Sequence, residues 1–317
     1  MLNITVAVSE FLLDCAIIPG QRSLTVAALI LVYVVSIIGN VLVIIVVKIN
    51  QQLHSPMYIF IGTLAIIDLA NSTIIIPKML AIIQFDYTVI SYEACLAQMF
   101  GIINLEQIVA LLLALMAVDR YIAVVYPLRY PSIVTRNLVV VVISVLPVFS
   151  IVLHISYLVY TTELSFCHTN VLPYCLCDYA TLVHASCNED PKYLSLLSIM
   201  VMVLGICPLL LILLSYFRIV IEALKIKSKD RNNKVFSTCV THIIVVCFFY
   251  LPPLTSYILP GAGLEVSSAG YNAVFISGNV VPPMMNPVIY SFRNKEIKSS
   301  IYKFFTGKRL GEDLMHH

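Results

Sequence analysis

The sequence predicts an all-α membrane protein, a bundle of seven transmembrane helices with its amino terminus outside the cell and its carboxyl terminus in the cytoplasm. Its composition excludes an ordinary soluble globule, because 60% of the 317 residues are hydrophobic and only 11% are charged. Seven apolar runs each reach the length of about 20 residues that a helix needs to cross a bilayer. They cover residues 24–47, 57–83, 95–118, 137–159, 193–217, 235–258 and 269–290.

The distribution of charge orients the seven runs. Most Lys and Arg residues follow runs one, three, five and seven, whereas the opposite segments hold only Arg22 and Lys192 together with many acidic residues. Because basic segments stay in the cytoplasm, we expect residues 1–23 to form an extracellular amino terminus and residues 291–317 a cytoplasmic tail. The spans and their short loops make up one domain, 1–317, with no appended catalytic module. We therefore expect a protein that works in the lipid bilayer, is not an enzyme and binds no nucleic acid.

The outer segments carry two kinds of modifiable residue. Asn3 begins the sequence Asn-Ile-Thr, a glycosylation signal on the predicted outer terminus. Six cysteines lie on this side, which suits an oxidising environment. They are Cys15, Cys95, Cys167, Cys175, Cys177 and Cys187. Their spacing alone leaves the pairing open. Zinc binding by the loop cysteines with His168 and His184 is a rival hypothesis, but the spacing matches no standard structural zinc site, so no metal is expected.

Polar residues inside the apolar runs are costly and therefore informative. Asn40, Asp68, Asn279 and Asn286 lie in spans one, two and seven, and Asp68 is the one carboxylate among them. They could simply hold the helices together. They could equally form a rearrangeable polar core, in which Asp68 with Asn40 and Asn286 holds a proton or a Na⁺ ion. No other cofactor is expected.

Two proline sites predict breaks in helices. Pro287, in the sequence Asn286-Pro287-Val288-Ile289-Tyr290, removes a backbone hydrogen bond and is expected to kink span seven near its inner end. Pro252-Pro253 is expected to do the same in span six, just after Tyr250. A kink beside polar side chains predicts a hinge.

Run three is followed by Asp119-Arg120-Tyr121, at the point where the helix leaves the hydrocarbon. This could be a plain stop signal, since charges at the end of a span cost little. Together with the proline sequence of span seven, Asn40, Asp68 and Cys95, however, it resembles the pattern of class A (rhodopsin-like) G-protein-coupled receptors. The resemblance covers spans one to seven.

Separated motifs narrow this resemblance to the odorant receptor family. They are LHSPMY (Leu53 to Tyr58), MAVDRYIAV (Met116 to Val124) with PLRY (Pro127 to Tyr130), KVFSTCVTH (Lys234 to His242), and the stretch from Pro283 to Tyr290 with SFRN after it. Four motif regions in the right order are highly specific. The chain departs from the family at Val118 and Val124-Val125, after Tyr250, and in its lack of Trp. These departures suggest a divergent, fish-like branch.

The resemblance implies two disulfides and a route for the signal. The implied pairs are Cys95–Cys177 and Cys167–Cys187, with Cys15 and Cys175 left unassigned. Arg120 is implied to stay near Asp119 in the inactive receptor and to contact the G protein in the active one. The residues implied to serve coupling and activation are Asp119, Arg120, Tyr121, Asn286, Pro287 and Tyr290.

The function that the resemblance implies is odorant reception at the plasma membrane, expected in the cilia of olfactory sensory neurons. A small-molecule odorant would bind in the extracellular half of the helix bundle. A heterotrimeric G protein of the Gs/olfactory type would then raise cAMP.

Helix geometry suggests where the ligand binds. Glu106 lies 14 residues before Arg120, close to four turns, so both side chains point to one face about 21 Å apart along the axis. If Arg120 faces the bundle interior, Glu106 does so too, beneath the outer loop. Further pocket candidates are Ile102, Ile103, Gln107 and Ala110 on span three, and Tyr250 with Tyr257 on span six.

The role of Glu106 stays open at this point. A positive or hydrogen-bonding ligand group could satisfy it, or a structural partner such as Gln107 or a span-five side chain. Odorant receptors often carry an acid three residues further in, here Val109, so the resemblance does not transfer a role to Glu106.

Three alternatives compete with an odorant receptor. A class A receptor for another small ligand shares the same fold, but a visual pigment needs a lysine in span seven, and residues 269–290 contain none. An amine receptor would resemble its family by an Asp in the outer half of span three, where 95–105 has none. A transporter predicts internal repeats and paired broken helices, and the sequence has neither.

Overall fold

The computed structural model of the protein describes residues 8–15, 20–167, 169–225, 229–261 and 268–307. Side chains are described for all of these except residues 229–238, 256–261, 268–269, 271–272 and 275. The glycosylation signal at Asn3 and the side chain of Tyr257 therefore lie outside the described residues.

Helices dominate the described chain. They are α1 (Arg22–Ile49), α2 (Pro56–Phe85), α3 (Tyr92–Val125), α4 (Tyr130–Ile133), α5 (Arg136–Thr162), α6 (Tyr179–Ala185), α7 (Lys192–Met200), α8 (Cys207–Leu224), α9 (Lys229–Gly261), α10 (Ser268–Arg293) and α11 (Lys295–Thr306). A 3-10 turn, Gln51–Leu53, follows α1. The π-helical segment Val201–Ile206 joins α7 to α8, so span five is continuous from Lys192 to Leu224.

Within the described residues, five helical segments are long and apolar enough to cross a membrane, namely α1, α2, α3, α5 and the continuous α7–α8. Helices α9 and α10 supply spans six and seven, and Cys239–Thr255 is the apolar part of α9. The predicted all-α bundle of seven helices is confirmed. Each helix extends beyond its predicted apolar run, because the backbone stays helical after it leaves the hydrocarbon. Asp119-Arg120-Tyr121 therefore lies inside α3 and does not end it.

Helix α3 runs through the middle of the bundle, where it contacts α2, α5, α8 and α9. Its residues Leu112, Leu113 and Ala117 are fully buried in the central hydrophobic cluster. Helix α10 packs against α1, α2 and α9. The two helices that carry the predicted functional sequences thus share the interior of the bundle.

The proline sequence of α10 is supported by span one. Pro287 cannot donate a backbone hydrogen bond to the carbonyl of Pro283. That carbonyl instead accepts from Nδ2 of Asn40 at 2.8 Å and from Oγ of Ser36 at 3.3 Å. A Cβ at Gly39 would lie 2.8 Å from Cγ of Pro287, so glycine permits this close approach.

The outer end of the bundle is covered by a small three-stranded sheet with β1 in the middle, where β1 is the first strand in the chain, Glu10–Leu13. Its strands are β1 (Glu10–Leu13), β2 (Val89–Ser91) and β3 (Val171–Leu172). Strand β1 pairs antiparallel with β2 and parallel with β3, and its residues Phe11 and Leu13 are fully buried. Part of the predicted outer terminus is thus built into the packed structure, which the sequence analysis missed.

Three disulfides fix this cap. They are Cys15–Cys175, Cys95–Cys177 and Cys167–Cys187. Two of them are the pairs that the family resemblance implied, and the third joins the two cysteines that it left unassigned. In this arrangement the six sulfurs are bonded in pairs and are not the free thiolates that the rival zinc hypothesis requires. No cluster of metal-binding side chains occurs within the described ranges.

Candidate functional site

A cavity of about 720 Å³ lies beneath the outer cap, between α2, α3, α9 and α10. Loop residues around Tyr174 and the helix α6 line its outer end, and Asp68 with Asn286 lines its inner end. Its walls are largely apolar, with Leu105, Val109 and Phe249 among them. An apolar cavity of this size with a few polar groups is the usual form of a small-molecule site.

Glu106 is the predicted ligand residue of α3 that lines this cavity. Its carboxylate is hydrogen-bonded to the side chain of Asn279 on α10, and Asp178 lies close enough to interact with it electrostatically. The structural partner proposed from the sequence, Gln107, is engaged elsewhere, because its Nε2 donates to the carbonyl of Leu204 at 3.3 Å.

The other predicted pocket residues with described side chains pack away from the cavity. Ile102 lies in a buried cluster with Ile75 and Ile76, Ile103 packs against the cluster beneath the outer cap, and Ala110 belongs to the central cluster. The predicted helix face needs correction, because the cavity touches only a narrow arc of α3. Neighbouring helices cover the remainder of its surface, so the cavity side runs through Leu105, Glu106 and Val109.

Tyr250 of span six is likewise buried in the central cluster and not in the cavity wall. Its ring packs edge to face against Phe249, with centroids 4.9 Å apart. Phe249 itself lines the cavity. Helical spacing predicted that Tyr250 would reach the cavity. The aromatic residue of span six that lines the cavity is its neighbour Phe249.

The inner end of the cavity is polar. Nδ2 of Asn286 donates to Oδ2 of Asp68 at 2.9 Å, and both residues are buried. Nδ2 of Asn71 donates to the backbone carbonyl of Asn279 at 3.1 Å. Asn40, which the sequence placed in the same cluster, is bound instead to the carbonyl freed by the proline of α10. The predicted polar core therefore consists of Asp68 and Asn286, with Asn40 beside it.

The outer helix α6 is held by Asp178, whose carboxylate accepts hydrogen bonds from the backbone N–H and the hydroxyl of Thr181. A short polar side chain at this position is a common start of a helix. Burial raises the pKa of Asp178. This helix forms part of the cavity roof and was not predicted from the sequence.

A second polar site lies at the inner end of α3. Oδ2 of Asp119 pairs with Nη2 of Arg120 at 2.6 Å, and its Oδ1 accepts from the hydroxyl of Tyr130 at 2.7 Å. Burial, followed by the charge of Asp119, raises the pKa of Tyr130. Tyr121 packs edge to face against Tyr126. The charged pair is therefore a structured site with a third member that lies in the loop.

Arg120 faces a small crevice of about 50 Å³ together with His242 and Tyr290. His242 accepts or donates a 2.6 Å hydrogen bond with the hydroxyl of Tyr216. Tyr290 is buried at the end of the span-seven proline sequence. Spans three, five, six and seven thus meet through polar side chains at the cytoplasmic end.

The fold, the covered cavity and the polar inner crevice together define a seven-transmembrane receptor of the class A type. Comparison with known proteins supplies the family. The olfactory receptor family model matches residues 29–308. The chain belongs to the olfactory receptor family, whose members are G-protein-coupled receptors and not enzymes, and it is a multi-pass membrane protein.

Similar proteins cover nearly the whole chain. "Olfactory receptor 1E16" of Mus musculus is 34% identical over 97% of this chain and 98% of its own length. "Olfactory receptor 1" of Rattus norvegicus is 35% identical over 96% of each chain. "Olfactory receptor 1M1" of Homo sapiens is 32% identical over 96% of this chain and 97% of its own. The odorant receptor family and the absence of an enzymatic role, both predicted from the sequence, are confirmed.

Proposed function

We propose that this chain is an odorant receptor of the plasma membrane in olfactory sensory cilia. A small odorant enters from the outer side, binds in the 720 Å³ cavity and activates a heterotrimeric G protein of the Gs/olfactory type, which raises cAMP. The observation that carries this proposal is the continuity of one cavity from the outer cap to the polar contact beside the proline of span seven.

Span seven provides a physical link between ligand and hinge. The cavity-lining residues Val274, Gly278, Pro282 and Asn286 recur every four residues, so one face of α10 lines the cavity along its length. The last of them, Asn286, directly precedes Pro287. A ligand that packs along this face therefore contacts the helix up to its break.

Activation requires that the ligand favour one arrangement over another, since a ligand shifts an equilibrium only by its differential affinity for the two states. The site that could change lies around Arg120, where an ion pair and a hydrogen bond fix Asp119 within the inner end of α3 and the short helix α4. Next to it, the bond between Tyr216 and His242 links spans five and six. In our proposal these contacts rearrange when the ligand binds. Arg120, released from Asp119, then contacts the G protein.

The test is a cAMP assay in cells that express the chain with an olfactory G protein, with the amino terminus stained at the cell surface. Ligands are pooled amines, acids, aldehydes, alcohols and amino acids. We expect a response from the natural sequence and none from Arg120→Ala at equal surface staining, because the variant cannot make the proposed contact.

Arg129→Ala is the matched control, since Arg129 is an exposed arginine of the neighbouring loop. It should respond like the natural sequence. A full response from Arg120→Ala would contradict the proposed role. Uptake of a labelled solute into vesicles that lack G protein would favour a transporter instead.

We further propose that Asp68 and Asn286 can hold a Na⁺ ion, which stabilises the inactive arrangement. Support comes from the buried carboxylate of Asp68 and from Oδ1 of Asn286, which accepts no hydrogen bond from the described residues. Replacing Na⁺ by N-methylglucamine should lower the ligand concentration for half-maximal response. Asp68→Asn should abolish this dependence. An unchanged dependence would favour a purely structural polar contact.

A further inference from the structure

We infer that the ligand class of this receptor is the organic amines, with the ligand's ammonium group paired to the carboxylate of Glu106. This inference rests on the proposed function and names the ligand chemistry of the same cavity. It depends on where the negative and positive side chains of the outer half lie.

The cavity contains several carboxylates, and the basic side chain among its described lining residues is His184, which interacts electrostatically with Asp178. Asp68 and Glu106 line it, and Asp178 lies near Glu106. Among the described lining residues there is no Lys or Arg. The outer residues beyond the described ranges, 1–7, 16–19, 168 and 262–267, contain no Lys or Arg either. A carboxylate at membrane depth is costly unless something compensates it.

The basic residues of the outer side are committed elsewhere. Arg22 pairs with Asp86 at 2.9 Å, and Lys192 pairs with Glu163 at 2.8 Å. Nζ of Lys78 donates to the backbone carbonyls of Tyr87 and Val89, at 3.1 and 2.6 Å. Each of the three therefore stabilises the cap and leaves the charge of Glu106 uncompensated.

Two amide oxygens of residues that line the cavity suit a cation. Oδ1 of Asn286 and Oδ1 of Asn71 are buried, accept no hydrogen bond from the described residues and belong to residues that line the cavity. Asn286 itself is only 3% exposed. These oxygens are acceptors, and an ammonium group brings three donors. A carboxylate ligand would instead meet the carboxylates of Asp68 and Glu106, which carry the same sign of charge.

The apolar walls define the remainder of the ligand. Leu105 and Val109 line the cavity next to Glu106 on α3, and Val245, Phe249 and Pro252 line it from α9. Hydrocarbon packed on these side chains is stabilised because its apolar surface is removed from water. The cavity therefore favours an amine with a hydrocarbon body over a small hydrophilic cation.

Glu106 lies deeper in span three than the outer half in which the sequence analysis looked for an Asp. The outer part of α3 from 95 to 105 contains no Asp, and the first acid inside the span is Glu106. Asn279, which holds Glu106, lies seven residues before Asn286, or about 10 Å along α10. The ammonium site is therefore about two turns above the Asp68–Asn286 contact, so one cavity has room for both.

The test compares ligands that share a hydrocarbon chain and differ in the charge of their polar group. The probes are the primary amines from propylamine to decylamine and 2-phenylethylamine, each with the matching alcohol and carboxylic acid. In the cAMP assay the amines should be more potent than the alcohols by about tenfold or more, because a charge-assisted hydrogen bond is stronger than a neutral one. The acids should be inactive. Equal or greater potency of the alcohols or acids overturns the inference.

Variants of Glu106 test whether its carboxylate is the group that pairs with the ammonium group of the ligand. Glu106→Gln should remove the advantage of the amines and leave the response to the alcohols, whereas Glu106→Asp should retain the preference at lower potency. Glu93→Gln is the matched control, since Glu93 is an exposed acid in the first turn of the same helix. It should leave the preference unchanged. An unchanged amine preference in Glu106→Gln overturns the assignment of this residue.

A binding measurement that does not involve the G protein distinguishes failure of coupling from failure of ligand binding. The detergent-purified full chain is heated with each probe, and its melting temperature is recorded. If cells stay silent but amines alone stabilise the natural sequence and not Glu106→Gln, the ligand class stands and the coupling proposal fails. If none of the amines stabilises the natural sequence, the inference is overturned. Where Glu106→Gln does not fold, the comparison of amines with alcohols on the natural sequence still decides.

Discussion

The outer end of the bundle is held together by covalent bonds, and the inner end by non-covalent interactions. The outer end has three disulfides, a three-stranded sheet and a capped helix. The inner end, as far as it is described, is held by packing, an ion pair and hydrogen bonds around a 50 Å³ crevice. Covalent bonds preserve one geometry, whereas hydrogen bonds can be exchanged for others. In our proposal, the outer end that binds the ligand therefore keeps its shape, and the inner end that contacts the G protein changes it.

Helix α3 connects the outer and inner ends of the bundle. Cys95 begins the buried part of α3 beneath the cap, and Asp119 lies 24 residues further on, about 36 Å along the axis. The disulfide to Cys177 fixes the outer end of this helix. Its inner end depends on Arg120 and Tyr130. Changes at the two ends of α3 should thus have different consequences.

The largest effect is expected from breaking the central bond of the cap. Loss of a native disulfide typically costs about 2–5 kcal/mol and often prevents folding. Cys95→Ser should therefore lower surface staining by about tenfold or more, and Cys177→Ser should do the same. The measurement is flow cytometry of an amino-terminal epitope, normalised to total receptor.

Cys247→Ser is the matched control for this loss. Cys247 is an exposed free cysteine of span six, so its replacement should leave surface staining unchanged. Normal surface levels of both Cys95→Ser and Cys177→Ser would show that the cap does not depend on this bond.

A smaller effect is expected from the bond between Cys15 and Cys175. It joins residues 160 apart in sequence, but Cys175 is only two residues from Cys177, which is already tied to α3. Removing it takes away the covalent tie of the segment after β1, while β1 still pairs with β2 and β3 and the loop stays bonded to α3. The double variant Cys15→Ser with Cys175→Ser should reach the surface, and its melting temperature should fall by a few degrees. A loss of surface expression as severe as that of Cys95→Ser would show that the two bonds are equally important.

The contrast between the two ends also explains what the sequence could predict. Apolar runs and charge bias are strong local signals, so they predicted the seven helices and their orientation. The Asp119-Arg120-Tyr121 sequence and the family motifs were sufficient to place the inner site on α3. These are features that one helix displays by itself.

The parts that could not be predicted depend on contacts between distant segments. Strand β1 pairs with β2 and β3, which lie about 80 and about 160 residues further along the chain, and such short strands carry no clear sequence pattern. Helical spacing correctly put Glu106 in the cavity wall, but it could not say how wide the cavity is, so it also selected Ile102 and Ala110. The contact of Asp119 with Tyr130 depends on how the loop folds back, which no spacing rule gives.

The smallest effect is expected from Tyr130→Phe, a variant that changes the inner end directly. The hydroxyl of Tyr130 donates to Asp119 at 2.7 Å, and a hydrogen bond to a charged group contributes about 1.5–3 kcal/mol at most when it is lost. Asp119 keeps its pair with Arg120 in Tyr130→Phe, so the inactive arrangement is weakened and not abolished. Basal cAMP should rise severalfold at equal surface staining, with ligand potency shifted in the same direction. Tyr160→Phe removes a hydroxyl at the outer end, where Tyr160 packs edge to face on Tyr193, and should leave basal cAMP unchanged. If instead Tyr130→Phe is silent and Tyr160→Phe raises basal activity, the end that changes on activation is the outer one.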